Sequence, residues 1–321
     1  MCRVSVIIPT YNRAHIVGEA IDSVLAQTYR DFEIIVVDDA STDNTQEVLA
    51  RYLSEHGERI RYIRRETNGG AGAARNDGIR ASAGEFIAFL DSDDLYLPRR
   101  LEAAVAFLNQ NADLGGVYTD CQALGPDGQI IARSMVGATS SRKRIRTWRD
   151  VACYEPMNTD TITIRRQCLQ QVGLFDERLR RGQDSDLWLR LSYHYPVGQW
   201  PEVLVIWRRR ERKWVTCADA RRAIGVWHVV LQWLQSLSPA DVRFAKSRLG
   251  RAYWLLAVSL REEGDLESLR ARQQAAGYSL VNRLLLQLIG GMAAWYVPAL
   301  LPLFRGVRRH LFQFRSARRR T

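Results

Sequence analysis

Five apolar residues, Phe86, Ile87, Ala88, Phe89 and Leu90, run directly into Asp91-Ser92-Asp93-Asp94. An apolar run without polar alternation reads as a strand buried on both faces, the pattern of a central strand in a mostly parallel sheet. Asp91, Asp93 and Asp94 then stand at its carboxyl end, the edge where open α/β sheets take their ligands. Clustered carboxylates repel one another unless a metal or a basic ligand neutralises them. A local alternative is that these acids cap and begin the helix announced by Pro98 and by Leu101, Ala104, Val105 and Leu108.

The flanking segments repeat one unit. Residues 4–8 form a short apolar strand that stops at Pro9, and Val17, Ala20, Ile21, Val24 and Leu25 then recur at helical spacing. Residues 33–37 make a second buried strand, ended by Asp38 and Asp39, and Val48, Leu49, Tyr52 and Leu53 mark another helix. A third strand over 60–64 precedes the flexible loop Asn68-Gly-Gly-Ala-Gly72 and a helix over 73–83. A further strand is expected at 116–120, a turn at Pro126-Asp-Gly128, a return to the sheet at 161–164, and helices over 166–172 and from Gln183. Such alternation predicts an α/β fold, a mostly parallel central sheet flanked by helices and joined by right-handed crossovers. Between Arg133 and Asp150 the periodicity lapses and Arg142, Lys143, Arg144, Arg146 and Arg149 accumulate, which reads as a mobile basic loop. Beyond about residue 215 only helical patterns remain, including 223–234 and 245–262. The expected division is an α/β domain over 1–215 and an all-helical C-terminal region over 216–321.

With 321 residues, the chain can hold one large α/β domain and an appendage. Its formal charge of +11 asks for an acidic partner, yet seven arginines and no acid fall within 305–321. A nucleic-acid enzyme would line its catalytic cleft with that excess, so no nucleic acid is expected as partner. Residues 284–304 carry no formal charge and are long enough to span a bilayer, but Gly290, Gly291, Pro298 and Pro302 interrupt them. The expectation is a helical hairpin lying in the membrane interface, held to anionic lipid by the arginine tail. A helical appendage with a buried face, away from any membrane, is the alternative. The five cysteines lack the spacing of a zinc site or a disulfide framework, and too few apolar residues precede Pro9 for a signal peptide. A cytoplasmic protein, peripheral at the cytoplasmic face of the membrane, is therefore expected.

Three strand ends converge on one edge: Pro9-Thr10-Tyr11, Asp38-Asp39 and Asp91-Ser92-Asp93. Together they describe a nucleotide pocket. Asp39 can accept the N3 proton of uracil or thymine, Tyr11 offers an aromatic face, and a divalent cation on Asp93 can grip a diphosphate. Mg2+ or Mn2+ needs only one or two protein carboxylates when phosphate oxygens complete its shell, whereas zinc asks for His or Cys. The loop Gly70-Ala-Gly72 lacks a third glycine and follows a later strand, which disfavours a nicotinamide cofactor.

These residues carry a resemblance. Val4-Ser-Val-Ile-Ile-Pro-Thr-Tyr-Asn12, Val36-Val-Asp-Asp-Ala-Ser41, Gly72-Ala-Ala-Arg-Asn76 with Gly78, and Phe89-Leu-Asp-Ser-Asp-Asp94 are similar, in order and spacing, to glycosyltransferase family 2. The resemblance runs from the N-terminus to about residue 210. It implies a GT-A fold and an inverting, metal-dependent transfer of sugar from a nucleotide-diphosphate donor, a UDP or dTDP sugar being favoured. The implied acceptor is a glycan or a lipid-linked glycan of cell-surface polysaccharide synthesis. By the same resemblance Pro9, Tyr11 and Asp39 hold base and ribose, and Thr10, Arg75, Asp91 and Ser92 join the nucleotide-sugar-binding set. Arg75 also has a plain alternative as an exposed helix arginine. Asp91 and Asp93 form the Asp-X-Asp motif that holds Mg2+ or Mn2+, with Asp93 the foremost ligand.

An inverting transfer also needs a base for the acceptor hydroxyl. The family's base is an Asp before a helix, usually following another acid, and here Gln183-Asp184 occupies that place. Asp184 is the candidate, with Asp186 close enough to compete for the role. Trp188 can shape the acceptor site or belong to the core, and Arg208, Arg209 and Arg210 can bind phosphate or simply face solvent. Two other classes stand beside this reading: a non-catalytic nucleotide-sugar sensor or membrane scaffold, and a sugar-nucleotide pyrophosphorylase. The latter would carry a glycine- and lysine-rich loop after the first strand, where this chain has Thr10-Tyr11-Asn12-Arg13.

Overall fold

The structure, a computed structural model, describes residues 2–135, 145–154, 158–179, 181–209, 226, 230, 232 and 238–249. The chain divides into two compact units, Met1–Thr216 with His228–Trp233 and the remainder. The first holds a ten-stranded sheet. Strands β1 (Val4–Thr10), β2 (Phe32–Asp38), β3 (Ile60–Arg64) and β4 (Phe86–Phe89) run parallel in the spatial order β3-β2-β1-β4. Beyond β4 come β9 (Ile162–Arg165), β6 (Gly116–Leu124), β10 (Val197–Arg208) and β5 (Leu95–Tyr96). Two short strands sit off this path: β7 (Ile130–Ala132) on β6, and β8 (Ile145–Arg146) on β10.

Hydrophobic periodicity explains the helices. In α1 (Val17–Leu25) the spacing that predicted one apolar face buries Val17, Ala20, Ile21 and Val24. Helix α2 is Thr45–His56, α3 is Ala71–Ala81 and α4 is Arg100–Gln110. Helix α3 approaches the sheet so closely that a Cβ on Gly78 would lie 2.5 Å from Ile7 Cγ2. The remaining helices are α5 (Trp148–Tyr154), α6 (Arg166–Val172) and α7 (Gln183–His194). In the second unit, residues 239–249 are helical, with Ala245 and Leu249 buried.

Four local readings change. Strand β1 does not stop at Pro9 but continues through it to Thr10 in register with Asp38. Ile7 accepts from the Leu90 amide at 3.0 Å and Thr10 from the Asp39 amide at 2.9 Å. Pro9 therefore faces β4, where its missing N–H stops the ladder after Ile7 pairs with Phe89. Asp94 caps no helix, because α4 begins only at Arg100. The basic stretch expected as a loop over 133–150 contributes β8 and the start of α5, while 136–144 lie outside the described residues.

Strand β9 is the fourth change, and it matters for the site. It returns to the sheet as expected but antiparallel to both β4 and β6, with Ala88 opposite Thr163. Its reversed direction carries the residues just before it to the carboxyl edge of the parallel strands. No described helix is long and apolar enough to cross a membrane. The apolar stretch 284–304 and the arginine tail lie outside the described residues, as do most residues of the helices expected over 223–234 and 245–262.

Candidate active site

At the end of β2, Asp38 is wholly committed to structure. Its oxygens accept from the Ser41 amide at 2.8 Å and the Tyr62 hydroxyl at 2.8 Å. Next to it, buried Asp39 accepts from the Gly69 amide at 2.9 Å, the Gly70 amide at 2.7 Å and Arg65 Nη1 at 2.5 Å. The glycine loop is shaped for this: Gly70 has φ 87°, and a Cβ on Gly69 would meet the Arg65 guanidinium at 2.3 Å. Across the edge, Thr10 is buried with its Oγ1 unpartnered among the described residues, and Tyr11 is 43% exposed. The two loops are stitched together by Asn12, at φ 52°, whose side chain accepts from the Thr42 amide at 2.8 Å.

At the end of β4 the carboxylates part. A turn closed by the Asp94 amide on the Asp91 carbonyl, 3.0 Å, sets Asp91 and Asp94 together. Asp160, in the 3-10 turn Thr159–Thr161 before β9, accepts from the Asp91 amide at 2.6 Å. One oxygen from each of Asp91, Asp94 and Asp160 lies within 4.8 Å of the others. Burial, and then repulsion from Asp91, pushes the Asp160 carboxyl up to about 7, and burial beside Asp160 raises Asp94 well above the usual range. Beneath them Arg100 is fully buried, lies 5.0 Å from the Tyr96 ring centroid and donates to the Thr163 hydroxyl at 2.9 Å. This all-oxygen set suits Mg2+ or Mn2+ rather than zinc.

Asp93 turns elsewhere. It lies 4.0 Å from Arg13 and lines a cleft of about 630 Å³ with His15, Arg208, Arg209 and the turn around Pro126. Burial and the nearby Asp91 raise its carboxyl, while Arg13 and Arg208 pull the other way. Arg208 Nη2 donates to Glu19 at 2.6 Å. Ser92, between the two directions, is buried.

Arg75 is no exposed helix arginine: it is 3% exposed, pairs with Asp91 and lies 5.5 Å from the Phe175 ring centroid. Burial works against its charge, but Asp91, then Asp184 and Asp160, hold its acidity below that of an ordinary guanidinium. Asp184 begins α7 behind Gly182, at φ 80°, and receives the Thr159 hydroxyl at 3.3 Å. Asp186 is fully buried, and Arg190 donates to its Oδ2 at 2.6 Å and 3.0 Å. Of the two, Asp184 is the one whose charge acts on Arg75. Trp188 sits in the core, 5.8 Å from both Phe89 and Phe175. Asn76 fixes the segment leading to Asp184, holding the Phe175 amide at 2.9 Å and its carbonyl at 3.0 Å.

Reasoning from sequence missed Asp160. A lone Asp in Asn158-Thr-Asp-Thr161 gives no motif, and only the reversed direction of β9 would have sent it to this edge.

Comparison with known proteins identifies the family and the fold. The sequence profile of Glycosyl transferase family 2 matches residues 5–172. An uncharacterized glycosyltransferase of Rickettsia felis is 36% identical over 196 residues, 61% of this chain and 31% of that protein. The putative glycosyltransferase EpsE of Bacillus subtilis is 34% identical over 190 residues, 59% of this chain and 66% of that protein. The chain spans only 27% to 60% of the length of three Rickettsia relatives. Among solved structures, S. aureus TarS 1-349 aligns with TM-score 0.65 and 21% identity over 86% of this chain and 79% of its own. The mannosyltransferase PcManGT of Pyrobaculum calidifontis, in complex with GDP-Man and Mn2+, aligns with TM-score 0.56 and 21% identity over 92% and 81%. The mostly parallel sheet flanked by helices is the GT-A fold expected from the sequence. With the family profile extending over half of its length, the chain belongs to glycosyl transferase family 2.

Proposed function

We propose that the chain is an inverting, metal-dependent glycosyltransferase that moves a sugar from a nucleotide-diphosphate donor to a glycan or lipid-linked acceptor in cell-surface polysaccharide synthesis. The observation that carries this reading is Arg75, one buried guanidinium paired with Asp91 and held charged by Asp184 as well. It joins the end of β4, where the donor's diphosphate belongs, to the first turn of α7, where a base belongs. A UDP-GlcNAc complex of TarS and the GDP-Man complex of PcManGT support a nucleotide sugar as donor.

In this reading Pro9, Thr10, Tyr11 and Asp39 border the nucleoside, and Arg75 and Ser92 the diphosphate and sugar. Asp39 meets a uracil or thymine N3–H with the lone pair left over from its bonds to the two amides and Arg65. Asp93 and Asp91 would hold a divalent cation, which would supply positive charge to the leaving diphosphate. Asp184 takes the proton of the acceptor hydroxyl. The acceptor oxygen bonds to the anomeric carbon from the face opposite the diphosphate, whose bond to that carbon breaks and whose oxygen keeps the electron pair. Asp186, spent on Arg190, has a structural part. We place 1–215 as the catalytic domain and 216–321 as a helical region that settles on anionic lipid at the cytoplasmic face. Loss of membrane-fraction protein on truncation after residue 280 is the expected sign, and unchanged partition rejects it.

Nucleotide release from a panel of sugar nucleotides, with Mg2+ or Mn2+ and membrane extract as acceptor source, tests the activity. Asp184→Ala is expected to slow release by about 100- to 10,000-fold, and Asp93→Ala to weaken its dependence on metal. Unchanged release in both variants rejects these roles.

A further inference from the structure

Gln183 is the first residue of α7, immediately before Asp184, and it is 8% exposed. Gly72, in the first turn of α3, makes room for it: a Cβ there would lie 3.2 Å from Gln183 Cγ and 3.7 Å from Phe175 Cβ. Although its stem is packed this closely, its carboxamide is held by no hydrogen bond among the described residues, and its Oε1 is buried without a partner. A buried amide oxygen in that state costs stability that an apolar side chain of the same shape would not.

A second unmet atom lies beside the same phenylalanine. Arg75, 5.5 Å from the Phe175 ring centroid, gives Nη2 to Asp91, but its Nε is buried with no partner among the described residues. One of the two atoms is an acceptor and the other a donor. A hydroxyl meets both needs with a single oxygen, accepting from Nε–H and donating to Oε1. A phosphate or carboxylate oxygen only accepts, and would leave Gln183 Oε1 as it is. Charge points the same way, because Asp91, Asp184 and Asp160 all act on the one Arg75 guanidinium, and a further acidic group would meet their repulsion.

We propose that Gln183, together with Arg75, reads a hydroxyl of the sugar carried by the donor, and that this pair selects a neutral hexose over a uronic acid. The inference rests on the proposed transferase reading, which sets that sugar between Arg75 and Asp184. A hydroxyl there completes two groups that folding leaves unmet. A sugar without it leaves both unpaired, which is why buried polar groups of this kind discriminate steeply. Gln183 thus acts on the binding of the sugar, before any proton moves to Asp184.

Calorimetric titration of the full-length protein with UDP-glucose, UDP-galactose, UDP-GlcNAc, dTDP-glucose and GDP-mannose, and with each nucleoside diphosphate alone, tests this; UDP-glucuronate is the charged probe. UDP-glucuronate is expected to bind more weakly than the neutral UDP sugars. Gln183→Met is expected to weaken the best-bound neutral sugar nucleotide by about tenfold and to leave affinity for its nucleoside diphosphate unchanged. Without ligand the variant is expected to melt no lower than the parent, since an unpaired buried oxygen is gone. Lower melting in both Gln183→Met and Gln183→Leu makes the side chain structural and overturns the proposal. Equal effects of a folded variant on sugar nucleotide and diphosphate also overturn it, as does a parent that prefers UDP-glucuronate, and either result leaves the transferase reading standing. A parent that binds none of the sugar nucleotides or diphosphates removes both.

Discussion

Asp39 and Asp160 are buried to a similar depth at the same edge of one sheet, and they are opposites. Asp39 is surrounded by donors: two loop amides and Arg65. Asp160 accepts one amide and faces two more carboxylates, with one of which, Asp94, it shares a hydrogen bond. The first arrangement stores negative charge that folding has already matched, so the glycine loop and the end of β2 form one rigid wall. The second crowds carboxylates in low dielectric, where burial and mutual repulsion favour keeping a proton. Within one sheet edge, the end of β2 is matched by donors and the end of β4 is crowded by acids.

That contrast can be broken in three ways. The largest effect is expected from Asp39→Ala, which leaves two amides and Arg65 facing a void and costs about 3 kcal/mol of stability; a denaturant midpoint equal to the parent's would show that the wall does not depend on Asp39. Next is the pH response of protein held in chelator. The Asp160 carboxyl sits at about 7 in the folded chain against 3.8 in the unfolded. Across that window the folded pair of Asp160 and Asp94 holds a proton that the unfolded chain has lost, so stability falls as pH rises from about 4 to about 7. Asp160→Asn should flatten the slope, and an unchanged slope in thermal melts would remove Asp160 from the account. The smallest change is expected from Tyr11→Ala. Its side chain is largely exposed, so stability should stay within about 0.5 kcal/mol while donor affinity drops, read by calorimetry.

The sheet was legible because β1, β2 and β4 are apolar on both faces, and β3 and α6 fall where the pattern put them. What periodicity does not carry is direction. Residues 161–164 read as a strand, but nothing in Ile-Thr-Ile-Arg165 says that it runs against β4, and Asp160 was lost with that omission. Side-chain aim was equally hidden. Asp91, Ser92, Asp93 and Asp94 are consecutive, and only the turn closed at Asp91 separates Asp93 from the other two acids. Arg75 was named for its place after the glycine loop, while its burial between Asp91 and Phe175 depends on contacts distant in sequence. Asp186 shows the converse, an acid at a plausible position that Arg190 removes from contention.

Pro9 has a further bearing on the molecule. With one more backbone N–H, β1 could bond the Leu90 carbonyl and draw its tip against the chain that carries the acids. The ring forbids that closure without any clash or charge. An imino acid in the middle of the sheet thus acts as a zip stop, ending the β1–β4 ladder at Ile7 and leaving the chain from Leu90 onward outside it in every folded copy.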